Sequence, residues 1–186
     1  AILGVAMVDW SWPLWAATAL CVATGIGIGV FNGTVSVLLG IPSFIVTLGS
    51  LEIARGLSYM ATNSQTKYIG PGIEGVAAPL SAFGFSLAFL IALSVIVALQ
   101  ILLSRTVFGR HLIAIGTNEQ AFRLAGLNSF PSRVLVFSLA GGLSGLAALF
   151  YTSRLGSADP NAGVGFELSA IAAVVIGGTS LMGGRG

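Results

Sequence analysis

The chain has 186 residues, of which 55% are hydrophobic and only 8% charged, against about a quarter charged in an ordinary soluble domain. A soluble fold of this length needs a charged skin, and eight Lys and Arg with six Asp and Glu are too few and too clustered to make one. The formal net charge is +2, but the cations flank apolar runs instead of forming one basic patch, which argues against nucleic acid as a partner.

The chain begins at Ala1 with neither an initiator Met nor a signal-peptide pattern and ends on the glycine-rich "GGRG", so it reads as a piece of a longer protein. Uncharged runs extend from Trp10 to Leu51, from Gly75 to Ser104, from Val134 to Ser153 and from Leu168 to Gly184. Each holds a stretch of roughly 20 residues, enough to cross a ~30 Å hydrocarbon layer with the bilayer as solvent. The expected fold is an all-α, polytopic transmembrane helical bundle of about five segments, near 14–39, 43–61, 82–103, 131–152 and 167–183. Residues 1–186 read as a single transmembrane domain with a cytoplasmic loop at 104–130.

In the first segment Gly25, Gly29 and Gly33 repeat every fourth residue, as Gly141 and Gly145 do in the fourth. That spacing puts the glycines on one helix face, where backbones approach closely; the face is either plain helix packing or a sliding interface beside a pathway. Cys21 is the single cysteine and lies in an apolar run, so the chain holds no disulfide and no Cys-based metal site. In the second segment Glu52 and Arg55 stand at i and i+3 in an apolar neighbourhood and read as an ion pair inside the membrane. Such a pair is either functional or a tie near the outer end of its helix.

Arg105, Arg110 and Arg123 lie in the 104–130 loop with Arg133 just beyond it, whereas the connections at 62–81 and 153–166 carry only Lys67 and Arg154 as cations. The positive-inside rule makes the 104–130 loop cytoplasmic. Alternation then places Lys67, Glu74 and Asp159 outside, and the turn from Gly40 to Pro42 and Arg185 inside.

Within that loop, "HLIAIGTNEQAFRLAGLNSF" has the marks of a short helix. Thr117 and Gln120 form a capping box, Glu119 and Arg123 an i, i+4 pair, and Gly126 a stop. Ala121, Leu124 and Ala125 make a small apolar stripe, and His111 beside Arg110 reads as an interface side chain. About ten residues of helix are unstable alone in water. The helix must therefore dock, either on its own membrane domain or on a separate cytoplasmic partner.

"GRHLIAIGTNEQAFRLAGLN", followed after a span by "SADPNAGVGFELSAIAAVVIGGTSLMGGRG", resembles the membrane permease of bacterial ribose-type sugar ABC importers. "GIPSFIVTLGSLEIARGLSYMAT" is similar to the same family, so the resemblance runs from about residue 24 to the end. It implies a multi-pass permease subunit of the bacterial inner membrane that moves a ribose- or xylose-like monosaccharide. It also implies a second permease copy, a periplasmic sugar-binding protein, and a separate ATPase subunit that carries ATP and Mg while this chain binds no cofactor. The cytoplasmic segment then corresponds to a coupling helix resting in a groove of the ATPase, carried here by Gly116, Thr117, Asn118, Glu119, Ala121 and Gly126, with Arg123 as the partner of Glu119. The wider importer signature, Glu-Ala-Ala followed by three residues and Gly, is met imperfectly. Counting back from Gly126 gives Gln120-Ala121-Phe122, and starting at Glu119 makes the interval one residue too long. Which residue makes the contact that the signature's Glu makes elsewhere stays open.

An uncharged sugar needs hydrogen-bond partners without strong charge. Asn32 and Thr47 offer them from the first two segments and are the candidates for the translocation path; the other reading of Asn32 is an interhelical hydrogen bond. The chain has no G-x-x-x-x-G-K-[ST] motif, its sole lysine is Lys67, and one His with one Cys leaves no catalytic residue and no metal site to name. An ion-coupled secondary transporter or channel is the rival reading. It calls for a chain of intramembrane Asp, Glu or His, and only Glu52, beside Arg55, is available. An intramembrane enzyme would lack both nucleophile and base.

Overall fold

The computed structural model describes residues 1–70, 73, 75–76 and 86–178. Glu74, Arg185, the start of the 82–103 segment and the end of the 167–183 segment lie outside the described residues. The helices run α1 Ile2–Gly4, α2 Leu14–Leu39, α3 Ser43–Thr62, α4 Leu87–Arg105, α5 Val107–Thr117, α6 Glu119–Leu124, α7 Phe130–Leu155 and α8 Phe166–Ile176. A single π-helical turn, Val5–Asp9, follows α1. Two short strands, β1 Lys67–Tyr68 and β2 Ser157–Ala158, pair antiparallel with Lys67 opposite Ala158.

Among the described residues α2, α4 and α7 are long and apolar enough to cross a membrane. The 20-residue α3 is long enough but carries Thr47, Ser50, Glu52, Arg55 and Ser58, which lower its apolar character. The fold is the expected all-α polytopic transmembrane bundle, and five is an approximate count of its segments. Chain punctuation explains the helix ends. Gly40 closes α2 at φ +65°, a left-handed conformation that glycine adopts without a Cβ clash. Pro42 precedes α3, where its missing N–H costs nothing, and Asn63 closes α3 at φ +53°.

The chain packs as two compact units, one of Ala1–Leu93 with Val134–Ala162 and the other of Ser94–Arg133 with Gly163–Gly186. The first has a core of Leu3, Ile73 and Leu149, with Met7, Leu14, Cys21, Ile69 and Val76 around it. The Ser153 hydroxyl donates to the Ile73 carbonyl at 2.6 Å inside this core. The pairing of Lys67–Tyr68 with Ser157–Ala158 requires the 62–81 and 153–166 connections to lie on one side of the membrane. There Lys67 pairs with Asp9 at 2.9 Å, and Asp159 accepts from the Asn161 N–H at 2.7 Å and from the Thr66 hydroxyl at 3.1 Å. Those two bonds, the Asn161 N–H first, hold the Asp159 carboxyl below the usual carboxylate range.

The expected glycine face is where α2 crosses α7. A Cβ added at Gly25 would run into the Gly141 carbonyl and one at Gly29 into the Phe137 carbonyl, while one at Gly145 would come 2.8 Å from the Val22 Cα. The two backbones touch. This is the close small-residue packing that lipid favours, because hydrocarbon gives helices no hydrophobic reason to associate. Gly29→Val should therefore destabilise the full-length protein in detergent by about 1–3 kcal/mol or more, as overpacking does. Gly27 faces open space on the same helix, and Gly27→Ala should leave thermal stability unchanged or slightly raised. Equal loss of stability for the two variants would contradict the crossing.

Candidate functional site

Beyond α4 the chain turns sharply into α5. Thr106 caps α5 by accepting from the Gly109 N–H at 3.4 Å and donates to the Leu102 carbonyl at 2.6 Å. A side chain at Gly109 would collide with the Leu103 carbonyl, so the elbow needs a glycine. The polar stretch is two helices, α5 and α6, broken at Asn118 in an extended conformation. The Thr117–Gln120 capping box does not form. Asn118 caps α6 through its Oδ1, which accepts from the Ala121 N–H at 2.9 Å, while the Thr117 hydroxyl turns back to the Ile113 carbonyl at 2.8 Å.

Gly126 stops α6 at φ +79°, with its own N–H donating to the Arg123 carbonyl and the Leu127 N–H to the Phe122 carbonyl. That bond pair is a Schellman motif, which needs the left-handed glycine. The Glu119–Arg123 pair closes at 2.8 Å. Glu119 also accepts from the Ser129 hydroxyl at 2.9 Å and from the Arg133 guanidinium at 3.2 and 3.3 Å. The Ser129 bond first, opposed by partial burial and helped by Arg123 and Arg133, holds the Glu119 carboxyl below the usual carboxylate range. Its stabilising contribution is thus present at neutral pH and is lost as pH falls through the lowered value.

Phe122 is the inward residue of α6, 5% exposed and packed edge-on against His111 with ring centroids 5.3 Å apart. The apolar stripe of Ala121, Leu124 and Ala125 faces outward, and Leu124 is 89% exposed. Gly116 and Thr117 thus end α5, Asn118 is the break, Glu119, Ala121 and Arg123 lie on α6, and Gly126 follows its end. Ser129, Arg133 and Phe122 were not singled out from sequence as partners of this segment. Ser129 and Arg133 stand ten and fourteen residues beyond Glu119, a spacing with no helical period to flag it.

Elsewhere, Arg55 and Glu52 pair at 3.2 Å with Glu52 exposed and Arg55 half-buried. Thr47 donates to the Phe44 carbonyl within its own helix at 3.1 Å. Asn32 is 7% exposed and its Oδ1 is enclosed without a donor. No hydrogen bond joins it to Thr47 among the described residues, and its Oδ1 accepts none from another helix. Asn32 lies one residue from Gly33, whose added Cβ would sit 3.0 Å from the Val134 Cα, so this polar group stands at the α2–α7 crossing.

The profile of the branched-chain amino acid transport system / permease component family matches residues 1–184. The chain belongs to this family. It is similar to the autoinducer 2 import system permease protein LsrC of Salmonella choleraesuis, 36% identical over 190 residues that cover 100% of this chain and 53% of that protein. The ribose import permease protein RbsC of Escherichia coli K12 is 38% identical over 177 residues, 91% of this chain and 54% of its own length. The Haemophilus influenzae RbsC is 36% identical over 197 residues, 99% of this chain and 58% of its own. The permease chain thus spans about half the length of the curated relatives it matches. No solved structure matches it. With its apolar helices, it is a multi-pass protein of the inner membrane.

An enclosed, unpaired acceptor costs about 1–3 kcal/mol. Asn32→Leu should therefore raise the thermal unfolding midpoint of the full-length permease. A lower midpoint would mean that a donor reaches Asn32 Oδ1 in the assembled protein.

Proposed function

We propose that this chain forms part of the membrane-spanning permease subunit of an ATP-binding-cassette importer that carries a ribose- or xylose-like monosaccharide. A separate subunit binds ATP and Mg and hydrolyses the nucleotide, a periplasmic binding protein delivers the sugar, and a second permease copy completes the path. The observation that carries the reading is the similarity to ribose and autoinducer 2 import permeases over 91% to 100% of the chain. The character of the spans supports a sugar over an amino acid. A zwitterion calls for charges of both signs, whereas the polar groups buried in α2 and α7 are uncharged: Asn32, Ser36, Ser132, Ser138, Thr152 and Ser153.

Glu52 is the one carboxylate of α3 and is already paired with Arg55, which offers little to an ion-coupled carrier. The pair is proposed as a structural tie of α3. Asn32, with its free acceptor, and Thr47 are proposed to line the sugar path. A sugar hydroxyl would satisfy Asn32 Oδ1 in passing, and a weak, transient bond suits a carrier that must release what it binds. On that basis Asn32→Leu should lower ribose uptake while stability rises, a trade expected where a strained site serves function.

The segment Asn118–Gly126, on the positively flanked side of the membrane, is proposed as the contact to the ATPase. Replacing residues 118–126 in the full-length protein by a Gly-Ser stretch of equal length should leave membrane insertion normal and abolish co-purification of the ATPase subunit. Undiminished co-purification together with undiminished ribose uptake would remove the coupling assignment.

A further inference from the structure

Glu119 sits where this sequence departs from the wider importer signature, and its carboxylate is occupied within the chain. Oε1 accepts from Arg123, Ser129 and Arg133 at 2.8, 2.9 and 3.2 Å, and Oε2 accepts from Arg133 at 3.3 Å. Four hydrogen bonds are about as many as a carboxylate's lone pairs accommodate. Little is left for a partner. The bonds to Ser129 and Arg133 tie α6 to the residue before α7 and to its first turn, which a helix of six residues needs because it cannot hold its shape alone.

The side of α6 turned away from this network is the one that faces out. Phe122 is turned in against His111, while Gln120, Ala121 and Leu124 are exposed, and Leu124 at 89% is one of the most exposed large apolar side chains described. One leucine between Ala121 and Ala125 is a knob, shaped for a pocket. A membrane-surface helix needs a broad apolar face over several turns, which six residues do not supply. Charge narrows the partner further. The stretch 94–133 holds Arg105, Arg110, Arg123 and Arg133 against Glu119 alone, and Arg105 and Arg110 are exposed. A matching surface is therefore apolar at its centre and acidic at its rim.

The geometry points to a division of roles on α6, resting on the importer reading above: Glu119 is a positioning residue that staples the helix to the start of α7, and Leu124 is the anchor that enters an acid-rimmed apolar pocket of the ATP-hydrolysing subunit. The open question of which residue replaces the signature's Glu at the partner thus has an answer: an apolar anchor, with the Glu turned inward.

The test uses the full-length permease co-expressed with its ATPase subunit. The photo-crosslinking amino acid p-benzoylphenylalanine at position 124 should capture the ATPase subunit, and at position 122 it should not. Glu119→Arg should cut ATP hydrolysis by the complex about tenfold, and adding Arg133→Glu should bring it back to within about twofold, because the swap rebuilds the staple with reversed polarity. A group that touched the ATPase directly would not be rescued by a change inside the permease. Crosslinks from position 124 to lipid alone while the ATPase still co-purifies would overturn the anchor and leave the importer reading in place. Failure of the swap to rescue would overturn the staple. If the unaltered permease brings down no ATPase at all, the importer reading falls and the inference with it.

Discussion

Where α2 crosses α7, Gly25 and Gly29 lie directly on the backbone of Phe137–Gly141, and Gly145 lies on Cys21 and Val22. Lipid tails are as apolar as leucine, so hydrophobic burial cannot hold helices together inside a bilayer, and close backbone contact takes its place. Much else in the first unit depends on that crossing. It encloses Asn32 beside Gly33. Many large apolar side chains of these helices, Leu38 and Leu39 among them, are left facing outward, as lipid-exposed positions are.

The same helix α7 that supplies Gly141 and Gly145 carries Arg133 in its first turn, where it holds Glu119. Polar chemistry is thus divided by place. Glu119 and its arginine partners lie between α5 and the first turn of α7, and the polar groups enclosed within α2 and α7 are neutral amides and hydroxyls. That division is compatible with the proposed import of an uncharged sugar driven by a separate ATPase.

Much of this was legible in the sequence because each feature has a short period or a bulk signature. Charge-free runs gave away the spans, and the four-residue glycine repeats gave away the crossing face before any partner helix was known. The Glu119–Arg123 pair and the Gly126 stop are likewise local. Where reading failed, the deciding contact was distant or two local options were close in energy. Thr117 and Asn118 are both good caps. The threonine hydroxyl could instead bond back to Ile113, which a helical threonine does readily, and the cap passed to its neighbour. In a helix of six residues, periodicity does not say which face turns inward, so Phe122 was not singled out as the inward residue. Ser129 and Arg133 come to Glu119 through the turn before α7, and the two-residue strands are too short to announce themselves.

The energy source separates the proposed importer from an ion-coupled carrier most directly. Uptake of labelled ribose should be measured in cells that express the full-length permease with its ATPase and binding protein. Uptake is expected to continue when a protonophore collapses the ion gradients while ATP is maintained, and to stop when ATP is depleted with the gradients intact. Uptake that follows the gradients and ignores ATP would contradict the account.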